Sequence, residues 1–348
     1  MTEKLFYEDS HRTEFTAKVI SCEEAKDGFC VVLDQTAFFP EGGGQYADTG
    51  ILGNTEVTDV HEKNDVIFHS VTAPLEVGSI VSGKINWKER FEKMQQHTGE
   101  HIVSGIVHER FGYNNVGFHL GADYCTMDFD GPISKAQLKE IEIAANEAVY
   151  RNLEVEVLYP SKEELKDMDY RSKIEIEGQV RIVKIPGYDV CACCAPHVKT
   201  TGEIGAVKLV SMVSYKGGER ITMLCGRRAM RDYEKKDAMT KEISTMLCAK
   251  EYEVAEAVGR LPSSFRCRRC PVLGGCDYGV CRFDVRLAVP ASHLFCPHSF
   301  LVAGVSRSAI FQPQRRRVRP SSLYGAGGVR LRTAPRSRRR ASPRPRRW

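Results

Sequence analysis

The sequence predicts an α+β protein, in which a small N-terminal antiparallel β-barrel precedes an α+β domain, a helical extension and a basic tail. Three observations lead to this prediction. Residues 1–88 contain paired short apolar runs that are separated by glycine-containing turns. Residues 89–225 alternate helical and strand patterns, whereas residues 226–260 have a helical pattern only. Residues 261–348, the Arg-rich tail, have neither pattern over any useful length.

The strands of the N-terminal region are indicated by a repeated arrangement of apolar runs. "AKVISCEEAKDGFCVVLDQTAFF" has two such runs around a polar turn with a glycine, and "TGILGNTEVTDVHEKNDVIFHSV" repeats it. "EVGSIVSGKIN" adds another strand with glycine turns. Short strands in close succession are typical of a small antiparallel barrel.

The second region begins with a predicted helix from Arg90 to Phe111, which lacks proline and has apolar residues at nearly helical spacing. Another helix is predicted from Ser134 to Arg151, with Ser134 as its N-cap. "GAVKLVSMVSY" and "ERITMLC" predict a hairpin that turns at Lys216 and the two glycines after it. Helices and antiparallel strands together indicate an α+β domain.

Composition excludes several classes of protein. No apolar stretch approaches the length of about 18 residues that a membrane span needs. The N-terminus "MTEKLFYEDS" has no apolar signal segment, so we expect a cytoplasmic protein. The 13 cysteines are an odd number in a long chain, which favours thiols and metal ligands over a disulfide framework.

Charge is divided unevenly along the chain. The Arg-rich tail holds 19 Arg against 2 Asp, with no Lys or Glu, and so carries +17. Because the whole chain carries +5, the first 260 residues carry −12. We interpret the tail as an out-of-frame translation of a GC-rich gene. The functional alternatives are a disordered arm that binds RNA nonspecifically, or a small zinc site formed by "CRRC" with Cys276, Cys281 and Cys296.

A candidate metal site begins in "HTGEH", on the first helix of the second region. His97 and His101 are four residues apart, so they share a helix face and can reach one ion. Further groups of the kind that bind metals occur in "DVCACCAPHVKT", namely Cys191, Cys193, Cys194 and His197. Thiolate and imidazole groups in one short loop suit Zn²⁺, which binds both tetrahedrally. The alternative is a cluster of buried free cysteines.

A competing interpretation uses the same helix. "HTGEH" also fits the H-x-x-E-H motif of inverzincin metallopeptidases, with Glu100 as the general base. That site requires a third, usually acidic, ligand from another helix. Glu142 or Glu147 would have to provide it, although neither has a spacing that points to a ligand.

The two halves of the metal pattern resemble a known family. H-x-x-x-H, followed much later by C-x-x-x-H and "TGEIG", resembles the editing domain of alanyl-tRNA synthetase and the free-standing AlaX alanyl-tRNA editing proteins. "LDQTAFFPEGGGQYADTG", "VGFHLGADYCTMDFD" and "YKGGERITMLCGRRAM" resemble the longer AlaX proteins in the same order, so the resemblance covers residues 1–260. It implies one zinc ion per chain, held by His97, His101, Cys193 and His197.

The resemblance implies hydrolysis of the ester that joins a wrong amino acid, serine or less often glycine, to tRNA(Ala). A pocket made for alanine cannot strongly reject an isostere that adds a hydroxyl or lacks a methyl, so a second site must destroy the product. Four protein ligands would close a tetrahedral zinc site, whereas catalytic zinc keeps a position open. Either the ion becomes five-coordinate or one ligand is loose, and the ion can orient the substrate's amino group, activate water, or both.

The resemblance also assigns roles outside the ligand set. It implies that Thr36 hydrogen-bonds the serine hydroxyl. The glycine-rich motif would contact the substrate through Gly42, Gly43, Gly44 and Gln45, because glycine permits close backbone approach. The alternative is an ordinary glycine-rich hairpin turn. His119 and Glu100 are near the ligands in sequence and are candidates for proton transfer or for support of the ligands.

Binding of tRNA requires positive charge, which the first 260 residues have only locally. Arg227, Arg231 and Lys235 recur at four-residue intervals after "LCG", and we interpret them as phosphate contacts. The alternative is a solvated helix face. For the whole protein, the non-enzymatic alternative is a zinc-stabilised module that binds tRNA.

Overall fold

The computed structural model of the protein describes residues 1–172 and 178–261. Interpretations that concern the Arg-rich tail, including its candidate zinc site, therefore lie outside the described residues, apart from Leu261. Within the described part, no helix is both long and apolar enough to cross a membrane. Every cysteine in these residues is a free thiol, in agreement with the prediction made from the cysteine count.

The N-terminal region is a closed sheet of six antiparallel strands, with two very short strands and one helical turn beside it. In chain order the elements are β1 (Glu3–Lys4), α1 (Leu5–Glu8), β2 (Glu14–Ala25), β3 (Gly28–Leu33), β4 (Gln35–Thr36), β5 (Gly50–Leu52), β6 (Thr55–Lys63), β7 (Val66–Val71) and β8 (Ile80–Ile85). The closed sheet follows the order β2, β3, β7, β6, β5 and β8, and β8 pairs back with β2. Alternate side chains such as Val19, Val31 and Ile67 are fully buried, as the two-residue period of a strand requires.

Helix α2 (Trp87–Phe111) starts slightly before the predicted Arg90. The Asn86 side chain caps it by accepting a hydrogen bond from the backbone N–H of Glu89. Gly112 ends it in the left-handed conformation, at φ 70°. The helix is buried on nearly every side from Met94 to Val107, yet that stretch contains many polar side chains. Buried polar groups need partners, which marks α2 as the element on which a site is built.

The rest of the second region packs two antiparallel sheets and further helices around α2. The elements are β9 (Asn115–Leu120), β10 (Cys125–Phe129), α3 (Lys135–Tyr150), β11 (Glu156–Leu158), α4 (Lys162–Asp167), β12 (Ile182–Ile185), β13 (Asp189–Ala192), a 3₁₀ turn (Thr201–Ile204), β14 (Val207–Tyr215) and β15 (Gly218–Cys225). One sheet has the order β14, β15, β10, β9, and the other the order β11, β12, β13.

Two predicted local structures are present in this region. Ser134 caps α3 through a capping box with Gln137, in agreement with the predicted N-cap. The β14–β15 hairpin turns at Lys216 and Gly217, which both have positive φ, at 50° and 87°. After β15 the chain continues as α5 (Gly226–Met246), a 3₁₀ turn (Glu251–Glu253) and α6 (Val254–Arg260), where a helical pattern was predicted. The prediction of a mixed α+β chain is confirmed.

A buried network of charges joins the closed sheet to α2. The Arg90 guanidinium donates to Asp48, with its Nε 2.7 Å from Asp48 Oδ2, and both side chains are buried. Lys93 donates to the backbone carbonyl of Ala47 at 2.5 Å. Asp48 also accepts from the backbone N–H of Phe39 at 2.8 Å. These contacts attach the segment around the glycine-rich motif to the first two turns of α2, which precede His97.

Candidate metal centre

The structure brings together the four residues that the sequence proposes as zinc ligands. The ligand atoms of His97, His101, Cys193 and His197 all lie within 4.8 Å of one another. The Cys193 Sγ is 3.6 Å from His97 Nε2 and 3.4 Å from His197 Nε2. The three histidines are buried, and Cys193 is partly exposed. Helix α2 supplies two of the four, and the loop that follows β13 supplies the others.

The two histidines of α2 are each held by an outer partner. His97 Nδ1 lies 3.1 Å from Gln45 Oε1, the amide oxygen of the residue that ends the glycine-rich motif. His101 Nδ1 lies 2.8 Å from Asp189 Oδ2. Because carbonyl and carboxylate oxygens only accept, both imidazoles donate from Nδ1 and keep Nε2 for the centre. Such outer partners fix the tautomer and orientation of metal-binding histidines.

His197 has an outer partner of a different kind. Its Nδ1 lies 3.0 Å from the hydroxyl oxygen of Thr98, which stands on α2 directly after His97. The same hydroxyl accepts a hydrogen bond from the backbone N–H of Val198 at 3.3 Å. The other ring nitrogen of His197, Nε2, faces Cys193 Sγ at 3.4 Å. All three imidazoles are therefore arranged to offer the same nitrogen to one point.

The electrostatics of the cluster favour a cation. Desolvation alone would raise the pKa of Cys193, but the charges of His97 and His197 outweigh it and hold that pKa well below its ordinary value. Burial lowers the pKa of His197 to about 3. The pKa of His101 is raised despite burial, by the charges and hydrogen bonds of groups that include Cys191 and Asp189. Zinc binds the thiolate of cysteine and the imidazole of histidine and displaces their protons, so one thiol and three imidazoles form a donor set that fits this ion.

Arg171 supports the outer partner of His101. Its Nε and a terminal nitrogen donate to the two carboxylate oxygens of Asp189, at 2.7 and 2.9 Å. Burial would raise the pKa of Asp189, but His101 and Arg171 lower it by hydrogen bonds and charge. The two hydrogen bonds from Arg171 fix the orientation of the Asp189 carboxylate. The carboxylate in turn fixes the orientation of the His101 imidazole.

The glycine-rich motif lies directly against the ligands. Gly43 and Gly44 have positive φ, at 61° and 80°, and Gly42 exchanges backbone hydrogen bonds with Gln45. A Cβ added to Gly43 would lie 3.9 Å from His97 Cε1. The motif is thus a tight hairpin turn whose Gly43 lies close to His97, and its contact with a substrate remains a prediction.

Thr36 lies outside the four-residue cluster. It is fully buried in the core of the N-terminal region, where its hydroxyl is 2.9 Å from His69 Nε2. The hydroxyl oxygen also accepts from the backbone N–H of Phe38 at 3.1 Å. That core adjoins the centre, because Cys193 packs against it.

Glu100 lies beside the ligands, and His119 does not share their burial. Glu100 Oε1 accepts from Ser104 at 2.8 Å and from Asn115 at 2.6 Å. Its other oxygen, Oε2, is 3.9 Å from His101 Nε2. His119 is exposed on β9.

The acidic residues that the peptidase interpretation needs are elsewhere. Glu142 accepts from Lys139 at 3.0 Å, from Lys208 at 2.9 Å and from the backbone N–H of Leu209 at 2.9 Å. Among the described residues, neither Glu142 nor Glu147 belongs to a group that could hold a metal.

The basic residues of α5 differ in their surroundings. Arg231 donates two hydrogen bonds of 2.7 Å to the carboxylate of Glu92. The Arg227 guanidinium lies 5.6 Å from the centre of the Phe91 ring. Arg227 and Lys235 are exposed and accessible to a phosphate. Arg231 has its charge already paired, which weakens its interpretation as a phosphate contact.

Sequence reasoning did not single out several of the supporting residues. Thr98, Asp189, Asn115 and His69 were not proposed, and Gln45 was proposed only as a substrate contact. A signal existed for His69, which occupies an inward position of the alternating strand "VIFHSV", where an apolar residue is the norm. For the others, only their distance to the ligands identifies them.

The chain is similar in sequence to family models and to known proteins. Residues 180–224 match the family model described as the threonyl and alanyl tRNA synthetase second additional domain, and residues 2–89 match that of class II (A) tRNA synthetases. The alanyl-tRNA editing protein AlaX-L of Pyrococcus horikoshii is 33% identical over 242 residues, which cover 66% of this chain and 59% of AlaX-L. The resemblance to the AlaX alanyl-tRNA editing proteins is thus confirmed.

Other relatives of this chain include larger enzymes. The alanine–tRNA ligase of Pyrococcus furiosus is 36% identical over 275 residues, which cover 74% of this chain and 30% of the ligase. The alanyl-tRNA editing protein Aarsd1 of Rattus norvegicus is 29% identical over 274 residues, with coverage of 74% and 66%. The chain thus spans less than two thirds of the length of each of these relatives.

Proposed function

We propose that the protein is a trans-editing hydrolase, which deacylates Ser-tRNA(Ala), and also Gly-tRNA(Ala), at a zinc ion. The observation that carries this proposal is the convergence of three imidazole Nε2 atoms and one thiolate, within 4.8 Å of one another. Relatives that are named alanyl-tRNA editing proteins support tRNA(Ala) as the partner. The ligands would be His97, His101, Cys193 and His197, with one ion per chain.

The chain's own residues would prepare the ester for hydrolysis. A bound zinc ion supplies a Lewis acid, for the amino group of the substrate or for water. Gly43 and Gly44 let the backbone of the motif approach His97 and Phe118, where a side chain at either position would be crowded. Ser104 and Asn115 orient the Glu100 carboxylate, whose Oε2 is turned towards His101 and is a candidate proton acceptor.

Specificity would come from Thr36 and the RNA contacts from α5. A hydroxyl in the pocket wall can hydrogen-bond serine but finds no partner on alanine. Arg227 and Lys235 are exposed on α5 and would contact phosphates, with Arg231 contributing only if its pair with Glu92 opens. These contacts would make binding sensitive to salt.

The geometry favours editing over the peptidase alternative. A peptidase of the H-x-x-E-H type would need an acidic third ligand near His97 and His101. Cys193 and His197 stand in that place, while Glu142 is tied to two lysines and a backbone N–H. A non-catalytic tRNA-binding module would have the same metal centre. Only a measurement of hydrolysis therefore distinguishes it from an editing hydrolase.

Two cysteine substitutions test the proposal. We expect the wild-type protein to hydrolyse Ser-tRNA(Ala) and to carry zinc, and Cys193→Ala to lose both. Cys248→Ala is the matched control, because Cys248 is an exposed thiol outside the cluster. Zinc and tRNA binding without hydrolysis in the wild type would establish the module instead, and cleavage of peptides would establish the peptidase.

A further inference from the structure

His69 is buried in the N-terminal core with a partner on each ring nitrogen. It lies on β7 and has no exposed surface. Its Nδ1 is 3.1 Å from the backbone carbonyl of Val31, and its Nε2 is 2.9 Å from the hydroxyl of Thr36. A carbonyl oxygen only accepts, so the proton of His69 must be on Nδ1. Nε2 of the neutral ring is then an acceptor, and the Thr36 hydroxyl must donate to it.

The surroundings keep His69 in this neutral form. Burial lowers its pKa to about 4, and the hydrogen bond to Val31 opposes this shift only in part. At neutral pH the ring therefore carries a single proton. That proton is donated to the backbone carbonyl of Val31. The Thr36 hydroxyl must therefore donate to His69 Nε2.

These contacts limit the further hydrogen bonds that the Thr36 hydroxyl can form. A hydroxyl has one donor and two acceptor positions. The donor is committed to His69, and the backbone N–H of Phe38 uses one acceptor position at 3.1 Å. Thr36 Oγ1 can therefore accept one further hydrogen bond and cannot donate one. A ligand that reaches it must present an O–H or N–H.

Thr36 is fully buried, and the two phenylalanines that follow it connect its segment to the loop that carries Cys193. Phe38 and Phe39, which follow it, form one core with Ala195, and Cys193 packs against that core. The chain then continues into the glycine-rich motif, where a Cβ on Gly42 would be 3.7 Å from the Phe39 ring. The Thr36 segment and the ligand loop are in this way packed side by side.

We propose that His69 is a positioning residue for substrate discrimination: it takes the hydroxyl proton of Thr36 and so leaves Thr36 Oγ1 as an acceptor for the hydroxyl of an esterified serine. This inference rests on the proposed function. Glycine and alanine have no hydroxyl at this place and gain nothing from the arrangement. His69 acts only through Thr36 and does not touch the ester.

Two substitutions of His69 test this role in the full chain. His69→Phe keeps an aromatic ring but has no acceptor, so the Thr36 hydroxyl is free to rotate. We expect kcat/KM for Ser-tRNA(Ala), relative to Gly-tRNA(Ala), to fall about threefold to tenfold, the value of one hydrogen bond. His69→Gln places an amide oxygen near the position of Nε2 and should keep the ratio within about twofold of the wild type. Zinc content should equal that of the wild type in both.

The outcomes separate this inference from the proposed function. If the wild type hydrolyses neither substrate, the proposed function is wrong. If it hydrolyses both and His69→Phe slows them equally, only the role of His69 is wrong. Because His69→Phe can fail to fold, nitrogen NMR of the wild-type ring at neutral pH provides a second measurement. An Nδ1–H tautomer supports the inference, and an Nε2–H tautomer or a charged ring overturns it.

Discussion

Gln45 and His97 share a hydrogen bond of 3.1 Å, between the side-chain carbonyl of one and Nδ1 of the other. This contact joins the glycine-rich motif of the N-terminal region to helix α2, which carries the candidate ligands His97 and His101. Gln45 of the glycine-rich motif orients the imidazole of His97, which α2 presents. The N-terminal region is in this sense part of the metal centre.

The cluster predicts one zinc ion per chain. Metal analysis of the purified wild type should find close to one equivalent, and His97→Ala/His101→Ala should find almost none. A double mutant of the exposed His61 and His119, both changed to alanine, controls for loss of histidine in general. Full zinc occupancy without His97 and His101 would contradict the assignment of these ligands.

Replacement of Thr36 by valine keeps the shape of the side chain and removes its hydroxyl. We expect hydrolysis of Ser-tRNA(Ala) to fall more than that of Gly-tRNA(Ala), by about tenfold at most, because one hydrogen bond contributes roughly 0.5–1.5 kcal/mol. Thr58→Val, at an exposed position of β6, is the matched control. Equal losses on both substrates would mean that Thr36 does not recognise serine.

The buried charge network around Asp48 predicts a large loss of stability. Asp48→Asn leaves the buried Arg90 charge without its anion and leaves Lys93 with Glu89 alone, which should lower the free energy of unfolding by about 3–5 kcal/mol. Glu14→Gln removes an exposed ion pair with Lys84 and should change it by less than about 1 kcal/mol. Urea denaturation of the three proteins measures both values. Similar small losses in both variants would show that the network is not critical.

His69 predicts a pH dependence of stability. Its folded-state pKa of about 4 lies below the ordinary value of 6.5, so the unfolded chain binds more protons in the interval between them. The contribution of His69 is complete above that interval and is lost as pH falls towards 4, by about 2 kcal/mol at pH 5. We expect the wild type to lose more stability than His69→Gln between pH 7 and pH 5. Parallel losses in the two proteins would refute the assignment.

A chain that ends at Arg260 tests the interpretation of the tail. Helix α6 ends at this residue, and the 19 Arg of the Arg-rich tail follow it. We expect the shortened chain to keep its zinc and its rate at saturating tRNA. It should lose only the salt-sensitive, sequence-independent part of RNA binding, since that part comes from arginine–phosphate contacts. Loss of zinc or of catalysis would show that the tail belongs to the working fold.

Local patterns made much of the fold predictable. The N-cap at Ser134 and the turn at Lys216 depend on a few adjacent residues, so the sequence alone predicts them. The start of α2 was placed too late, because Asn86 caps it ahead of the first apolar residue used to find it. Spacing along the chain does not reveal partners from other elements. The four-residue spacing of Arg231 indicates a phosphate contact, but Glu92 of another helix pairs with it.

The sequence by itself predicted much of the secondary structure. Helical spacing related His97 to His101, and the resemblance to the AlaX proteins selected Cys193 and His197 from the four candidate groups of one short loop. Only the tertiary structure decided what supports them. Gln45, Asp189 and Thr98 reach the ligands across the fold, and His69 directs the hydroxyl of Thr36 across the closed sheet. A hydrogen bond depends on distance and direction in space, and residues from separate elements acquire these only when the chain has packed.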